Sequence, residues 1–443
     1  MPAAAVALFA LLVVAYVSQS DRLERALLTA PIVFTAAGAV LGLTVFRSEV
    51  EPVALKVVAE VTLTLVLFHD AAQVQPRELR SDAGLSARLL LIGLPLTIAA
   101  GYGAALLIIP EGSMWQALLL AAALAPTDAG LGAATVLNPV VPVRVRRVLN
   151  VESGLNDGLA TPVVLFAISL AGTEAVTPKE EVLVALRELA LGVLAGVLLA
   201  AAAGRVLAWA RRRAWIQPGL LPVATLAVPL LCYYGSLTIH GNGFVAAFVA
   251  GTAFAAAGTR KPPSAAPDDQ ADEHPLELTA RVSVFLGYAV WTLFGVVALA
   301  HLGELFTWRG LVFAVLSLTV LRMVPVALAL LGTRLRRETV VFVGWFGPRG
   351  LASVVFALLA VESSTRDSEL APIIGSIATT VLLSVVLHGV TAEPWARRYG
   401  AWAERESPPV ETFRSVEPTS GRGSRWAHLD HGGGAASDEG LTG

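Results

Sequence analysis

The run Asn-Val-Glu-Ser-Gly-Leu-Asn-Asp-Gly at positions 150–158 places two carboxylates at the start of a long apolar segment. Glu152 and Asp157 lead into residues 159–171, which carry no charge. A charged side chain at the centre of a membrane-spanning helix costs about 2.5–3.5 kcal/mol on insertion scales, so such residues mark ion or proton pathways. A third carboxylate, Asp128, interrupts the preceding apolar segment. The pattern indicates an ion transporter.

Composition fixes the broad class of the protein. Hydrophobic residues make up 55% of the 443 residues and charged residues only 15%, and the mean hydropathy is +0.69. These values predict an all-α polytopic membrane protein, because a lipid-exposed backbone must satisfy its own hydrogen bonds within helices. The N-terminal apolar run has no basic residue before it, so we interpret it as a first span and not as a signal peptide.

Hydropathy predicts about thirteen spans of the length that a ~30 Å hydrocarbon core requires. They run approximately over 3–18, 27–45, 53–73, 86–109, 115–137, 151–171, 181–208, 218–237, 242–257, 279–300, 309–332, 339–361 and 370–391. We therefore expect a transmembrane domain over 1–403. The loop 262–275 and the tail 404–443 are too polar and too rich in proline or glycine to form a packed core. We expect the tail to be disordered in the cytoplasm.

Basic residues alternate between connecting loops in the pattern that sets membrane orientation. Every second loop is rich in arginine, whereas the loops between them hold only Arg47, Lys56, Lys179, Arg309 and Arg366. This asymmetry predicts an N-terminus outside and a C-terminus in the cytoplasm of a multi-pass protein of the plasma membrane.

Two of the predicted spans are interrupted by helix-breaking residues. Pro126 and Gly130 break the fifth span, and Gly347 with Pro348 breaks the twelfth. Irregular backbone at membrane depth is tolerated only where it is buried in protein or lines a cavity. Paired breaks of this kind are typical of inverted-repeat transporters, in which each half contributes one broken helix to a central site.

Helical periodicity gathers the polar residues of the sixth span on one side. Glu152 and Asn156 lie one turn apart, as do Ser153 and Asp157. Oxygen ligands for a monovalent cation are then available from Asp157 and Ser153. The fifth span adds Asp128, the Thr127 hydroxyl and the carbonyls freed by Pro126.

Counting intramembrane charges predicts how many ions bind. Asp128, Glu152 and Asp157 face two candidate counter-charges, Arg322 and Arg349. One negative charge remains, which one cation or one proton would neutralise. We therefore expect Asp157 to carry the exchangeable charge while the arginines keep the other carboxylates ionised.

These residues resemble the monovalent cation:proton antiporter family, in its NhaP/NHE-like (sodium/hydrogen exchanger) branch. The specific part is the run Glu152-Ser153-Gly154-Leu155-Asn156-Asp157 after Pro126-Thr127-Asp128. The segment 240–244, Arg322 and 347–350 match as well. The resemblance covers about residues 5–395.

The resemblance implies the antiporter fold of inverted repeats and a function for each site residue. Asp157 would bind the cation or the proton, and Asp128, Thr127 and Ser153 would complete the cation site. Asn156 replaces an aspartate of electrogenic relatives, which implies electroneutral exchange. Glu152 would pair with Arg322, and Arg349 would lie where the twelfth span crosses the fifth. Ala129 departs from the proline that many relatives have after the Thr-Asp pair.

The family architecture also implies partners and two helical domains. A homodimer is expected, with core helices over about 86–171 and 309–391 and dimerisation helices over about 1–73 and 181–300. The cation, Na⁺ or alternatively K⁺ or Li⁺, and H⁺ are the expected substrates, and the lipid bilayer is the expected surroundings. No ATP-binding Gly-x-x-x-x-Gly-Lys-Ser/Thr loop is present. Neither a cofactor nor a nucleic acid is expected.

Two other function classes share part of this pattern. An intramembrane aspartyl protease would also place two aspartates on neighbouring helices, but the Gly-x-Gly-Asp and Pro-Ala-Leu patterns of such enzymes do not occur. A sodium-coupled carrier of organic anions would share the broken helices. It would need a more polar substrate pocket than this sequence offers, and it remains the alternative.

Overall fold

The computed structural model describes residues 3–26, 28–44, 52–74, 83–128, 131, 138–171, 178–217, 219–258, 275–300, 303, 305–363 and 367–412. Within these ranges the chain is helical and contains no β-strand. The expectation of an all-α architecture is therefore confirmed. The loop 262–274, the predicted helix-break residue Gly130 and the tail from 413 lie outside the described residues.

Within the described residues, the chain forms seven helices before the segment that contains Glu152 and ten from that segment onward. They are α1 Ala3–Val17, α2 Ser20–Arg25, α3 Ala30–Thr44, α4 Pro52–Gln73, α5 Ala83–Arg88, α6 Leu94–Ile108 and α7 Met114–Ala123. A π-helical turn, Leu89–Gly93, joins α5 to α6. At the start of α7, Ser113 and Gln116 form a reciprocal capping box, which satisfies backbone donors that a helix N-terminus leaves unpaired.

Ten helices follow. They are α8 Val143–Ala171, α9 Pro178–Arg212, α10 Leu221–Leu237, α11 Gly243–Gly258, α12 Glu277–Ala300, α13 Trp308–Leu318, α14 Val320–Ala329, α15 Arg337–Trp345, α16 Leu351–Ser363 and α17 Asp367–Glu406. Six helical stretches in the described ranges are long and apolar enough to cross a membrane on length and composition alone. The number of thirteen spans stays a prediction.

Three boundaries differ from those predicted. Helix α7 ends at Ala123, three residues before the predicted break at Pro126, and most of the predicted span beyond Asp128 lies outside the described residues. Helix α8 begins at Val143, directly after Pro142, and not at 151, so that Glu152 and Asp157 lie in its interior. Helix α17 has 40 residues and continues to Glu406. Hydropathy missed the extensions of α8 and α17 because the added turns carry arginines and glutamates.

The start of the tail was also misplaced. Residues 404–412 are not separate from the helical domain, because α17 includes 404–406, and Val410 and Glu411 bond to α8 and to the start of α15. Glu411 is 1% exposed and accepts hydrogen bonds from the Arg336 backbone NH at 2.8 Å and the Thr339 hydroxyl at 3.0 Å. Arg144 donates to the Val410 carbonyl at 2.5 Å. The prediction of a disordered tail is therefore wrong for residues 404–412.

Close helix packing depends on glycine in one group of helices. A Cβ at Gly192 or Gly196 of α9 would lie 2.6 Å or 2.5 Å from a backbone oxygen of the segment Asn242–Ala246. A Cβ at Gly251 of α11 would lie 2.3 Å from the Phe68 carbonyl of α4. These contacts let backbones approach closely, as small residues do in membrane helix pairs. Gly192 and Gly196 therefore serve helix packing.

Candidate functional site at two crossed helix breaks

The first break follows α7 and is tied to α8 through Thr127. The Ser153 hydroxyl donates to the Thr127 carbonyl oxygen at 2.7 Å. The Asn156 side-chain amide donates to the Thr127 hydroxyl oxygen, also at 2.7 Å. All three residues are buried. Because α7 stops at Ala123, these carbonyl and hydroxyl groups have no helical partner and become available to a neighbouring helix.

Asp157 lies one helical turn beyond Ser153, and therefore on the face of α8 that meets Thr127. Its side chain is buried, with 7% of its surface exposed. At the next position, a Cβ on Gly158 would lie 2.2 Å from the Phe248 ring of α11. Asp157 thus occupies a position between the first break and a helix that packs on the other side of α8.

The second break, residues 346–350 between α15 and α16, contacts the first one directly. The Asp128 backbone NH donates to the Pro348 carbonyl at 2.8 Å. The Asp128 carboxylate accepts from the Leu351 backbone NH at 3.0 Å and so caps the first turn of α16. A Cβ at Gly350 would lie 2.1 Å from that carboxylate oxygen, so only glycine fits here.

Arg349 of the second break also bonds to the first break. It is fully buried, and its guanidinium donates to the carbonyls of Ala125 at 3.0 Å and Pro126 at 3.2 Å. It also donates to the Ser317 carbonyl of α13 at 3.3 Å. These carbonyls lie beyond the end of α7 or in the last turn of α13, and a charged donor bonds to them at membrane depth. Its position at the crossing of the two broken helices is the one that the resemblance implied.

Glu152 and Arg322 form a buried ion pair between α8 and α14. The carboxylate and guanidinium are 2.6 Å apart, and their side chains are 3% and 2% exposed. A Cβ at Gly347 would lie 2.7 Å from the Arg322 Nε, so the second break leaves room for the guanidinium. The pairing implied by the resemblance is present in the structure.

Several residues at the crossing were missed by sequence reasoning. The Ser384 hydroxyl of α17 accepts from the Arg349 backbone NH at 2.7 Å. His388 contacts Ser384 and, through Nε2, the Trp345 carbonyl at 3.0 Å. The Ser353 hydroxyl of α16 donates to the Ala123 carbonyl at 2.7 Å. A signal was available, because polar residues recur every four positions along the apolar α17.

The groups at the crossing are rich in oxygen atoms, and one of these atoms is a hydrogen-bond acceptor without a donor in the described part of the chain. Asn156 is 1% exposed, and its side-chain oxygen has no hydrogen-bond partner within the described residues. A buried acceptor without a donor costs about 1–3 kcal/mol, a cost that a cation ligand would remove. In the same ranges no three or more His, Cys, Asp and Glu residues cluster as a metal site. The donor set of carboxylates, hydroxyls, amide and carbonyls suits a hard monovalent cation.

The structure therefore brings most of the sequence-predicted site residues together. Described contacts connect Thr127 with Ser153 and Asn156, Asp128 with the second break, and Glu152 with Arg322. Pro126, Gly347, Pro348 and Arg349 all lie at the crossing, and Gly130 lies outside the described residues. The functions of Asp157, Asp128, Thr127 and Ser153 as cation ligands stay predictions.

Crossed helix breaks with buried charges around them define a helical transporter of the antiporter fold. The family model for the sodium/hydrogen exchanger transmembrane domain matches residues 7–398. The chain belongs to this family, and it is a multi-pass membrane protein.

Individual relatives agree with this assignment. The chain is 30% identical over 322 residues to an Na⁺/H⁺ antiporter from Schizosaccharomyces pombe, covering 66% of each protein. It is 24% identical over 360 residues to the K⁺/H⁺ antiporter NhaP from Alkalimonas amylolytica, covering 80% of this chain and 59% of the relative. The chain thus spans at most 66% of the length of these curated relatives.

A solved structure shows the same fold. The sodium proton antiporter MjNhaP1 from Methanocaldococcus jannaschii superimposes with a TM-score of 0.70 at 19% sequence identity. The match covers 89% of this chain and 98% of that protein. At this identity the likeness establishes the architecture and not the substrate.

The Glu152–Arg322 pair predicts a non-additive stability pattern. Glu152→Leu or Arg322→Met alone leaves one unpaired buried charge and is expected to cost about 3–5 kcal/mol. The double variant removes both charges and should be more stable than either single variant. Thermal unfolding of the four purified proteins checks this. Additive losses in the double variant would contradict direct pairing.

Proposed function

We propose that the protein is a secondary antiporter that exchanges one monovalent cation for one proton. The buried crossing supports this proposal, because Asp157 is buried one helical turn from Ser153, whose hydroxyl donates to the Thr127 carbonyl, and Asp128 follows Thr127 in the same break. Na⁺ is the first candidate cation, and K⁺ and Li⁺ are the alternatives. The relatives are named as antiporters of Na⁺ or of K⁺, which supports exchange but does not decide between these ions.

Charge balance supports a one-to-one stoichiometry. Glu152 and Arg322 neutralise each other across 2.6 Å. Asp128, Asp157 and Arg349 then leave one negative charge. A single Na⁺ or a single H⁺ cancels it, whereas both together would leave an excess positive charge in a medium of low dielectric constant. Asn156 contributes an amide and no further charge, which keeps the exchange electroneutral.

The transport cycle follows from the same balance. With the site open to one side, Asp157 releases its proton and a dehydrated cation binds among the oxygen atoms of the first break and α8. The neutral loaded site then becomes accessible from the other side, the cation leaves, and Asp157 takes up a proton for the return. The site with neither ion carries a net charge, so its reorientation is unfavourable and the two fluxes are coupled.

We further propose the division into two helical domains and a homodimeric assembly. The core would comprise the helices within 86–171 and 309–391, and the dimerisation domain those within 1–73 and 181–300. The glycine-dependent packing of α4, α9 and α11 supports one unit, and the contacts at the crossed breaks support the other. The N-terminus would lie outside and the C-terminus in the cytoplasm of a cell whose plasma membrane holds the protein. No cofactor takes part.

Asp157→Asn should abolish exchange, because the amide keeps the size of the side chain but cannot cycle a proton. Purified protein in liposomes is assayed with a pH-sensitive dye after addition of Na⁺, K⁺ or Li⁺, with no organic solute present. The variant should fall to the rate of empty liposomes. Glu111→Gln, which alters an exposed carboxylate, should transport normally.

Wild-type rates in Asp157→Asn would refute the assignment of the exchangeable charge. Flux that requires an organic anion would instead support the carrier alternative. Net current per cycle in the wild-type protein would exclude the one-to-one stoichiometry.

Competition at one site predicts a definite pH dependence. Protonation of Asp157 blocks cation binding, so the apparent KM for the cation should rise by about tenfold for each pH unit below the pKa of the site. It should level off above that pKa. Initial rates at several cation concentrations and pH values measure the effect. An apparent KM that does not change with pH would show that the two ions do not share a site.

The proposed domain division predicts a contact that must break during transport. Lys56 of α4 lies 3.1 Å from both carboxylate oxygens of Glu362 in α16, and these helices belong to different proposed domains. Cysteines at 56 and 362, joined by a short bifunctional reagent, should arrest exchange. A Cys232→Ser background removes the native thiol.

A matched control uses the ion pair of Arg309 with Glu111, which joins two positions within the proposed core. The same reagent across cysteines at 309 and 111 should leave exchange intact. Continued exchange after the 56–362 link forms would mean that α4 and α16 do not move apart.

A further inference from the structure

A surface groove lies between α15 and α17, and one of its residues, Trp395, contacts Phe346 at the edge of the second break. The volume of the groove is about 320 Å³. Its lining comprises Glu338, Val341, Phe342, Trp395, Arg398, Tyr399, Trp402 and Arg405. The exchange of ions requires none of these residues, so the groove needs another explanation.

The length of α17 determines where this groove sits relative to the bilayer. At 1.5 Å per residue its 40 residues span about 60 Å, twice the ~30 Å hydrocarbon core. The apolar part of the helix extends to 392, and the charged sequence Glu-Pro-Trp-Ala-Arg-Arg follows from 393. The groove residues 395–405 therefore fall in the headgroup region.

The wall of the groove has the aromatic character of that region. Tyr399 stacks on Phe342 with ring centroids 4.1 Å apart and also stacks on Trp402 at 5.4 Å. Its hydroxyl is 2.9 Å from the Thr339 hydroxyl. Trp395 lies next to Phe346. Tryptophan and tyrosine concentrate at membrane interfaces, where the ring packs against lipid and the polar edge meets water.

The charged residues of the groove favour a ligand that carries negative charge. Arg398 and Arg405 are exposed and lie two turns apart, on one side of α17. Glu338 is the one acid among the lining residues, so the groove carries net positive charge. Arg334 and Arg336 precede α15 and Arg337 is its first residue, so these three charges add to the positive potential at this end of α15. Guanidinium groups bind phosphate with charge-assisted hydrogen bonds.

We propose that this groove binds one anionic phospholipid of the adjoining leaflet. Its phosphate would contact Arg398 and Arg405, and its glycerol and upper acyl chains would pack on Trp395 and Trp402. A bound lipid would brace α15, the first half of the second broken helix, against α17. The site is independent of which cation the protein carries.

The test measures thermal stability of the full-length protein in neutral detergent with added lipid. Phosphatidylglycerol should raise the melting temperature by several degrees, whereas phosphatidylcholine and inorganic phosphate should not. In Arg398→Gln/Arg405→Gln the concentration of phosphatidylglycerol giving half the shift should increase at least fivefold.

Arg397→Gln provides the matched control, because Arg397 is a neighbour on the same helix that pairs with Glu393 and does not line the groove. This variant should respond to phosphatidylglycerol like the wild-type protein. An equal response to phosphatidylcholine, an equal loss in Arg397→Gln, or an unchanged double variant would overturn the proposal. Stabilisation by inorganic phosphate alone would also overturn it, in favour of a free-anion site.

Discussion

Two stretches of irregular backbone meet at membrane depth, and each satisfies the polar groups of the other. Lipid offers no partner to an unpaired NH or carbonyl, and each such group costs several kcal/mol there. The Asp128 NH pairs with the Pro348 carbonyl, and the Asp128 carboxylate caps α16. Arg349 takes up the carbonyls of Ala125 and Pro126. Neither break would be stable without the other, so the crossing is the element on which the site depends.

The same constraint separates structural charges from the exchangeable one. Glu152 pairs with Arg322, and Arg349 donates to backbone carbonyls. Each of these three charged groups therefore joins neighbouring helices. Asp157 is buried on the face of α8 that is joined to the first break through Ser153. A buried carboxylate in that position can be neutral by protonation or by a bound cation. This choice is the physical basis of the proposed exchange.

Much of this arrangement could be predicted from sequence, since charges and breaks are rare in apolar segments and stand out. The periodicity of 152–157 predicted one polar face, and Pro126 and Pro348 predicted both interruptions. Helix ends were predicted less well, because arginines near Val143 and charges near Glu406 lower the hydropathy of turns that are still helical. The spacing of polar residues along α17 marks Ser384 as a residue of a buried face, but it does not identify Arg349 as its partner. The contact with Ser317 could not be predicted, because it is made through a backbone carbonyl.

The dense bonding at the crossing also limits how the site can change its access. Separating the two breaks would leave the Arg349 guanidinium, the Asp128 carboxylate and the Glu152–Arg322 pair without their partners. In the proposed cycle the helices around the crossing therefore move as one body. The surface of α8 facing the rest of the protein is suited to such movement. Gly154 lies against the Asp70 carbonyl of α4, and Gly158 against the Phe248 ring of α11. Glycines leave few side chains to repack when a helix slides across its neighbours, so in the proposed cycle this side of α8, close to Asp157, would be the boundary along which the core moves.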